Sequence, residues 1–292
     1  RGVVRVLETG DVEELVVRNT GDREVFIQAG DIVKGGKQDR VLTVSMVVPP
    51  QSGDIPVGAF CVEQDRWEGR GSEKEREFSA STARLPSKAG RIALYYRSNP
   101  DTGVEAGGSR RTRTGRRLPA GDDLQGRVWA SVAETQSALS GAVRQSVADE
   151  RSRSSLQLSL ENEAIRSALE GYEKALGKLA DEHPDAVGYV FAVAGNINSG
   201  DEFGSAGLFR KVWLRQLRTA ATEALASEDA PERAQPTLAE AAAFIDGARD
   251  ARASSRSMPG RMTFETRASK TAFYTEMRRP EGLWMHRSFI AR

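Results

Sequence analysis

Apolar residues recur along this chain with two different periods, and that change limits the fold more than any other feature. From Val3 to Trp67 they come in short runs, Leu15 to Val17, Val25 to Ile27, Val41 to Val48 and Val57 to Val62, cut by turn residues. Asn19-Thr20-Gly21-Asp22 reads as a hairpin turn, and the stretch from Pro49 to Asp54 continues neither a ladder nor a helix. This spacing predicts an antiparallel, sandwich-like β region over residues 1–97. From Leu124 the period becomes helical. Leu124, Val128, Val132, Leu139, Val143 and Val147 share one face, and Leu158, Ile165, Leu169, Tyr172, Leu176 and Leu179 another. Two helices of about 24 residues are predicted, packed antiparallel across the polar link from Asp149 to Ser155.

Val187 to Ala194 is apolar on both faces and reads as a strand at the centre of a sheet. A loop from Gly195 to Ser205 follows, then a helix with Ser205 as N-cap and a broad apolar face from Leu208 to Leu225. A shorter helix near Leu238 to Ala248 and strands at Arg261 to Arg267, Thr271 to Met277 and Leu283 to Ile290 complete the pattern. The expected class is α+β, with the N-terminal β region packed against a C-terminal half, 124–292, of long helices and a mixed sheet. Residues 98–123, rich in Arg and Gly, read as a flexible loop within one compact unit.

Composition narrows the function classes. The 42 basic and 41 acidic side chains leave a net charge of +1, so no global field collects nucleic acid. Arg110, Arg111, Arg113, Arg116 and Arg117 form a local basic run, but no aromatic residue interleaves them to stack a base, and nucleic acid is not the expected partner. The single Cys61 allows no internal disulfide and favours a reducing compartment. No apolar run is long enough to span a membrane, which makes the cytoplasm the expected location. The first residue is Arg1 rather than Met, so export through a removed leader stays open.

Several segments invite chemical readings. Gly30 to Gln38 resembles a phosphate loop only loosely, because Lys37 is followed by Gln38 rather than Ser or Thr; a tight turn exposing Lys37, Gln38 and Arg40 is expected instead. Alternation along Cys61 to Trp67 sends Cys61 and Glu63 to one face, and a carboxylate beside a thiol opposes the thiolate that a nucleophile needs. Arg66 beside Trp67 makes either a cation-π platform for a planar ligand or a loop staple. One Cys with His183 and His286 makes no common zinc set, so no metal site is expected; Asn198, Asp201 and Glu202 are the residues a hard cation would use. No cofactor is named by these patterns. The strand, glycine loop and helix from Val187 to Leu225 form the best binding architecture, although Asp201 and Glu202 would repel a pyrophosphate and suit ribose hydroxyls better.

These residues resemble a known family. Val12 to Asn19, Gly30 to Arg40, Ile55-Pro56-Val57 and Cys61 to Trp67 look like the ARPP domain, the family associated with ADP-ribosylglycohydrolases and the rhodanese-phosphatase superfamily. Gln125 to Trp129, Asp201 to Ser205 with Leu208, Phe209 and Trp213, and Gly282 to His286 extend the likeness over nearly the whole chain. Departures occur at Gly36, at Asp39 where Asn is common, and at Ala59-Phe60. The resemblance implies action around NAD and ADP-ribose, without an accepted mechanism and with an ADP-ribosylglycohydrolase-type protein as a possible partner.

Together these readings place an ADP-ribose-like or nucleotide-derived ligand at Lys37, Gln38, Arg40, Glu63, Arg66 and Trp67, with Asn196 and Asp201 approaching from the other half. Arg40 and Arg66 would pair with phosphate and Trp67 would stack, while Glu63 or Asp201 would hold ribose hydroxyls or act as general base. The alternative is a non-catalytic scaffold or partner-binding protein in which the same residues form a structural polar network.

Overall fold

Turn residues cut the N-terminal part of the chain into strands too short to bury a face alone, and they solve this by closing on one another. The computed structural model describes residues 3–66, 68–71, 73, 76–99, 124–227 and 233–292. Trp67 and the Arg110 to Arg117 run lie outside them. The strands are β1 (Val4–Glu8), β2 (Glu14–Asn19), β3 (Val25–Ile27), β4 (Asp31–Gly35), β5 (Arg40–Leu42), β6 (Met46–Val48), β7 (Ile55–Cys61) and β8 (Glu77–Arg84). Six of them form a closed antiparallel barrel in the order β1-β2-β7-β5-β4-β8, while β3 and β6 pair separately.

The expected sandwich is thus a barrel, and β8 is the reason. It pairs with β1 through Val6 and Phe78 and with β4 through Lys34 and Ser79, so it joins what would otherwise be two free edges. Two glycines permit the closure. Gly35 has φ +119° and a Cβ there would lie 2.9 Å from the Glu77 carbonyl; one on Gly36, at φ +56°, would strike the Phe78 ring. The expected hairpin after Asn19 is absent, since β2 pairs with β1 and β7 rather than β3. Asn19 instead pins the exit from the barrel, its amide donating to the carbonyls of Arg23 (2.7 Å) and Pro49 (3.0 Å).

Six-stranded packing recurs in the C-terminal part. After α1 (Lys88–Ser98) come α2 (Leu124–Ala142), α3 (Leu156–Leu160), α4 (Glu163–Leu176) and α5 (Leu179–Glu182). The second long helix expected from periodicity is broken into α3 and α4, because the Asn162 side chain accepts the Ala164 amide at 3.0 Å and starts a new helix. Next are β9 (Gly188–Val193), β10 (Asn196–Phe203), α6 (Ala206–Leu225), α7 (Leu238–Arg249), β11 (Ser254–Met258), β12 (Met262–Ala268), β13 (Ala272–Arg278) and β14 (Trp284–Ala291). The sheet runs β11-β12-β13-β14-β10-β9 with every pairing antiparallel rather than mixed. Hairpin connections explain this, since no crossover helix separates consecutive paired strands.

β9 lies at the sheet edge, not its centre. Its two-sided apolarity comes from cover on both faces: Tyr189 packs against Phe209 and Trp213 of α6, and Val190 joins the cluster around Phe244 of α7 and Phe289. The fold remains α+β, and the barrel and sheet share a core in which Leu15 and Val57 meet Met262, Phe264 and Met277. α1, which follows the N-cap Ser87, packs Tyr95 on Phe273 at 4.7 Å between ring centres.

Candidate functional site

The β4 to β5 connection brings Asp39 beside the chain that leaves β7, and there the charges of the expected site meet. Glu63 is fully buried and Arg66 is 8% exposed. Arg66 Nη2 lies 2.7 Å from Glu63 Oε2, and the same guanidinium donates to the carbonyls of Gly36 (2.9 Å) and Gly35 (3.2 Å). Arg70 donates to Asp39 Oδ1 at 2.7 Å and Glu63 Oε1 at 3.3 Å, while Ser155 Oγ donates to Asp39 Oδ2 at 2.9 Å. Burial alone would raise the Glu63 carboxyl, but hydrogen bonds from Arg66, Ser152 and the Asp39 amide hold it below its ordinary value. Two carboxylates and two guanidiniums therefore satisfy one another around the barrel-closing glycines.

The neighbours of this cluster are also engaged within the protein. Arg40 is 1% exposed and donates to Gln38 Oε1 at 3.1 Å, with Glu8 3.6 Å away. Gln38 is buried too, so the turn exposes Lys37 but neither Gln38 nor Arg40, because their side chains enter the barrel. Burial pushes the Cys61 thiol up despite the nearby Arg40, away from the thiolate form.

Asp201 belongs to a different network. The segment expected as a loop is strand β10, which forms a hairpin with β9 across Ala194 and Gly195, at φ +48° and +75°. Asp201 projects from its middle and accepts from Tyr189 Oη (2.8 Å), lies 3.1 Å from His286 Nε2 and 3.5 Å from Arg84 Nη1. Burial would raise its carboxyl; the Arg84 charge and the His286 hydrogen bond hold it well below the usual carboxylate range. Glu202 faces the other side of the sheet, paired with Arg249 (2.8 Å) and Arg287 (3.1 Å), so it does not join Asp201 around a cation. No set of three metal-ligating side chains gathers among the described residues.

His286 continues this network to Ser45, whose Oγ is 3.0 Å from Nδ1. A hydroxyl, an imidazole and a carboxylate in line are the parts of a nucleophile relay. Here Ser45 is 2% exposed and its Oγ accepts the Ala29 amide at 3.0 Å, so the oxygen is tied to the turn before β4. The chain of bonds joins the link between β5 and β6 to strands β14 and β10 of the sheet. Arg84 strengthens the same seam by donating to Ala29 O at 2.6 Å and to Gln216 of α6.

Asn196 sits apart, at the exposed tip of the hairpin, on a cleft of about 620 Å³. Lys88, Asn198, Glu223, Glu240 and Arg292 also line it. Arg91 underlies its floor, bonded to Glu223 (2.8 Å), Asn198 (2.8 Å) and Ser199 (3.1 Å). The Lys88 ammonium has no hydrogen bond or ion pair among the described residues, whereas its backbone N–H donates to Glu223 at 2.8 Å. The structure thus gathers Gln38, Arg40, Glu63 and Arg66 in one region, and separates Asp201 and Asn196 from it and from each other. Lys88, Arg84, Arg91 and His286 went unread as site residues, since only tertiary contacts between distant elements give them a shared location.

An antiparallel barrel joined to a helix-covered antiparallel sheet, with buried ion networks along the seam, defines the class of protein. The chain belongs to the ARG and Rhodanese-Phosphatase-superfamily-associated Protein domain family, whose model matches residues 1–290. That name records an association of the family with ADP-ribosylglycohydrolases and the rhodanese-phosphatase superfamily. No curated protein and no solved structure matches the chain. No helix among the described residues is long and apolar enough to cross a membrane.

Proposed function

We propose that the chain binds a nucleotide-derived, phosphate-bearing ligand of the ADP-ribose class, in the cleft beside the β9 to β10 turn. The observation that carries this reading is a cleft of about 620 Å³, within the range of about 300–1,000 Å³ that holds such ligands, with an unpaired ammonium at its wall. In this reading Lys88 and Arg292 meet phosphate oxygens, and Asn196, Asn198 and Glu223 meet ribose hydroxyls. The buried Cys61 suits a reducing, cytoplasmic setting. The test is a melting curve of the chain with ADP-ribose or NAD at millimolar concentration. A ligand at a hundred times its dissociation constant adds about 2.7 kcal/mol, a readable shift. Lys88→Ala is expected to remove most of that shift; a flat panel, or a shift undiminished by Lys88→Ala, overturns the assignment.

A second reading is a scaffold or partner-binding protein, with an ADP-ribosylglycohydrolase-type protein as the partner. The observation favouring it is the mutual satisfaction of Asp39, Glu63, Arg66 and Arg70, which leaves those charges committed to the fold. A flat ligand panel together with association with such a partner in solution supports it.

A further inference from the structure

We propose that a second cavity, between the end of α1 and the edge strand β11, is a binding site for a small phosphate-type oxyanion held by Arg97 and Arg256. The cavity measures about 190 Å³ and is bordered by both arginines, with Ser257 supplying a hydroxyl and Val44 and Val57 an apolar wall. It is smaller than the pockets of about 300–1,000 Å³ that enclose whole nucleotides, so it fits a single oxyanion or the phosphate end of a small monoester.

The charges make the case. Arg97 is 6% exposed, lies on the Phe60 ring at 5.7 Å and pairs through Nη2 with Glu13 at 3.0 Å. Arg256 is half-buried over the Phe264 ring at 5.4 Å, and among the described residues its side chain has neither a hydrogen bond nor an ion pair. Burial and the Arg97 charge both push its guanidinium pKa down. Glu14 also borders the cavity and pairs with neither arginine. Buried cations are ordinarily paired, because a charge removed from water without a partner is costly. Arg256 has no such partner among the described residues, and a tetrahedral oxyanion in the cavity can accept from it and from the Arg97 nitrogens that Glu13 does not engage. The site is separate from the cleft at Lys88 and does not depend on its ligand.

Isothermal titration of the full chain with inorganic phosphate, and in a second arm with ribose 5-phosphate, tests this. Heat with phosphate marks a free-anion site, and heat with the ester alone marks a monoester site. Arg256→Gln is expected to weaken binding by about tenfold or more, the loss of a charge-assisted hydrogen bond. In phosphate-free buffer the same variant is expected to melt at the same temperature or higher, because the repulsion with Arg97 is gone. Glu14→Gln is expected to tighten binding. No heat in either arm at millimolar ligand overturns the proposal. So does full affinity in Arg256→Gln, or a lower melting temperature of that variant without anion, which would make Arg256 a structural residue.

Discussion

Glu63 and Arg66 show how a residue's surroundings decide what its charge is for. The pair is dry, at 2.7 Å, and Arg66 also holds the carbonyls of the two glycines where the barrel closes. Arg66→Ala would strand Glu63 and Asp39 beside Arg70 alone, and a loss of about 3 kcal/mol or more is expected in urea unfolding. Asp201 gives a pH dependence with a definite sign. Its folded pKa is depressed, so its contribution is complete above the unfolded carboxyl value of about 3.9 and is lost as pH falls toward the folded value. Unfolding midpoints measured from pH 6 downward should therefore fall less steeply in Asp201→Asn than in the parent. At this scale the sequence was legible as residue type. Glu63 and Arg66 were read as ligand contacts, with a structural polar network as the alternative; nothing local announces Arg70 or Ser155 as the partners that complete the network. His286 likewise meets Asp201 and Ser45 only because strands β10 and β14 converge with the link between β5 and β6.

At the scale of elements, local signals located turns and caps better than partners. Ser205 does cap α6, donated to by the Leu208 amide at 3.2 Å, and the strands read near Arg261, Thr271 and Leu283 are β12, β13 and β14. Periodicity could not show that the Asn162 cap would divide a helix, nor that α1 would follow Ser87, since both are decided by one polar side chain in an otherwise helical or short pattern. β9 was misplaced for a physical reason: two covered faces make an edge strand look central. The β9 to β10 turn carries its own test. Ala194 occupies the left-handed region at φ +48°, so Ala194→Gly is expected to stabilise by up to about 1 kcal/mol in thermal unfolding. Gly195→Ala is expected to destabilise by more than 1–2 kcal/mol, roughly the left-handed cost, because its Cβ would also lie 2.6 Å from the Arg233 carbonyl.

For the whole molecule, the shared core and the seam network predict one cooperative unit. Leu15 and Val57 of the barrel pack with Phe264 and Met277 of the sheet, and Ser45 is bonded to His286 across the same boundary. Tryptophan fluorescence and far-ultraviolet circular dichroism should report coincident unfolding transitions. Two separated transitions would show that the barrel and sheet regions fold independently.

The position of β14 has a consequence for the order in which the molecule can be made. This strand, the last of the sheet, lies between β13 and β10, with Ser199 opposite Ile290 on one side and Phe273 opposite Ile290 on the other. While the chain is still emerging from a ribosome, the hairpin of β9 and β10 and the meander of β11 to β13 share no strand pairing. Both remain unpaired half-sheets until residues Trp284 to Ala291 are free to slide between them. The sheet therefore closes on its keystone, and a chain lacking Trp284 to Ala291 would hold two half-sheets rather than a slightly smaller one.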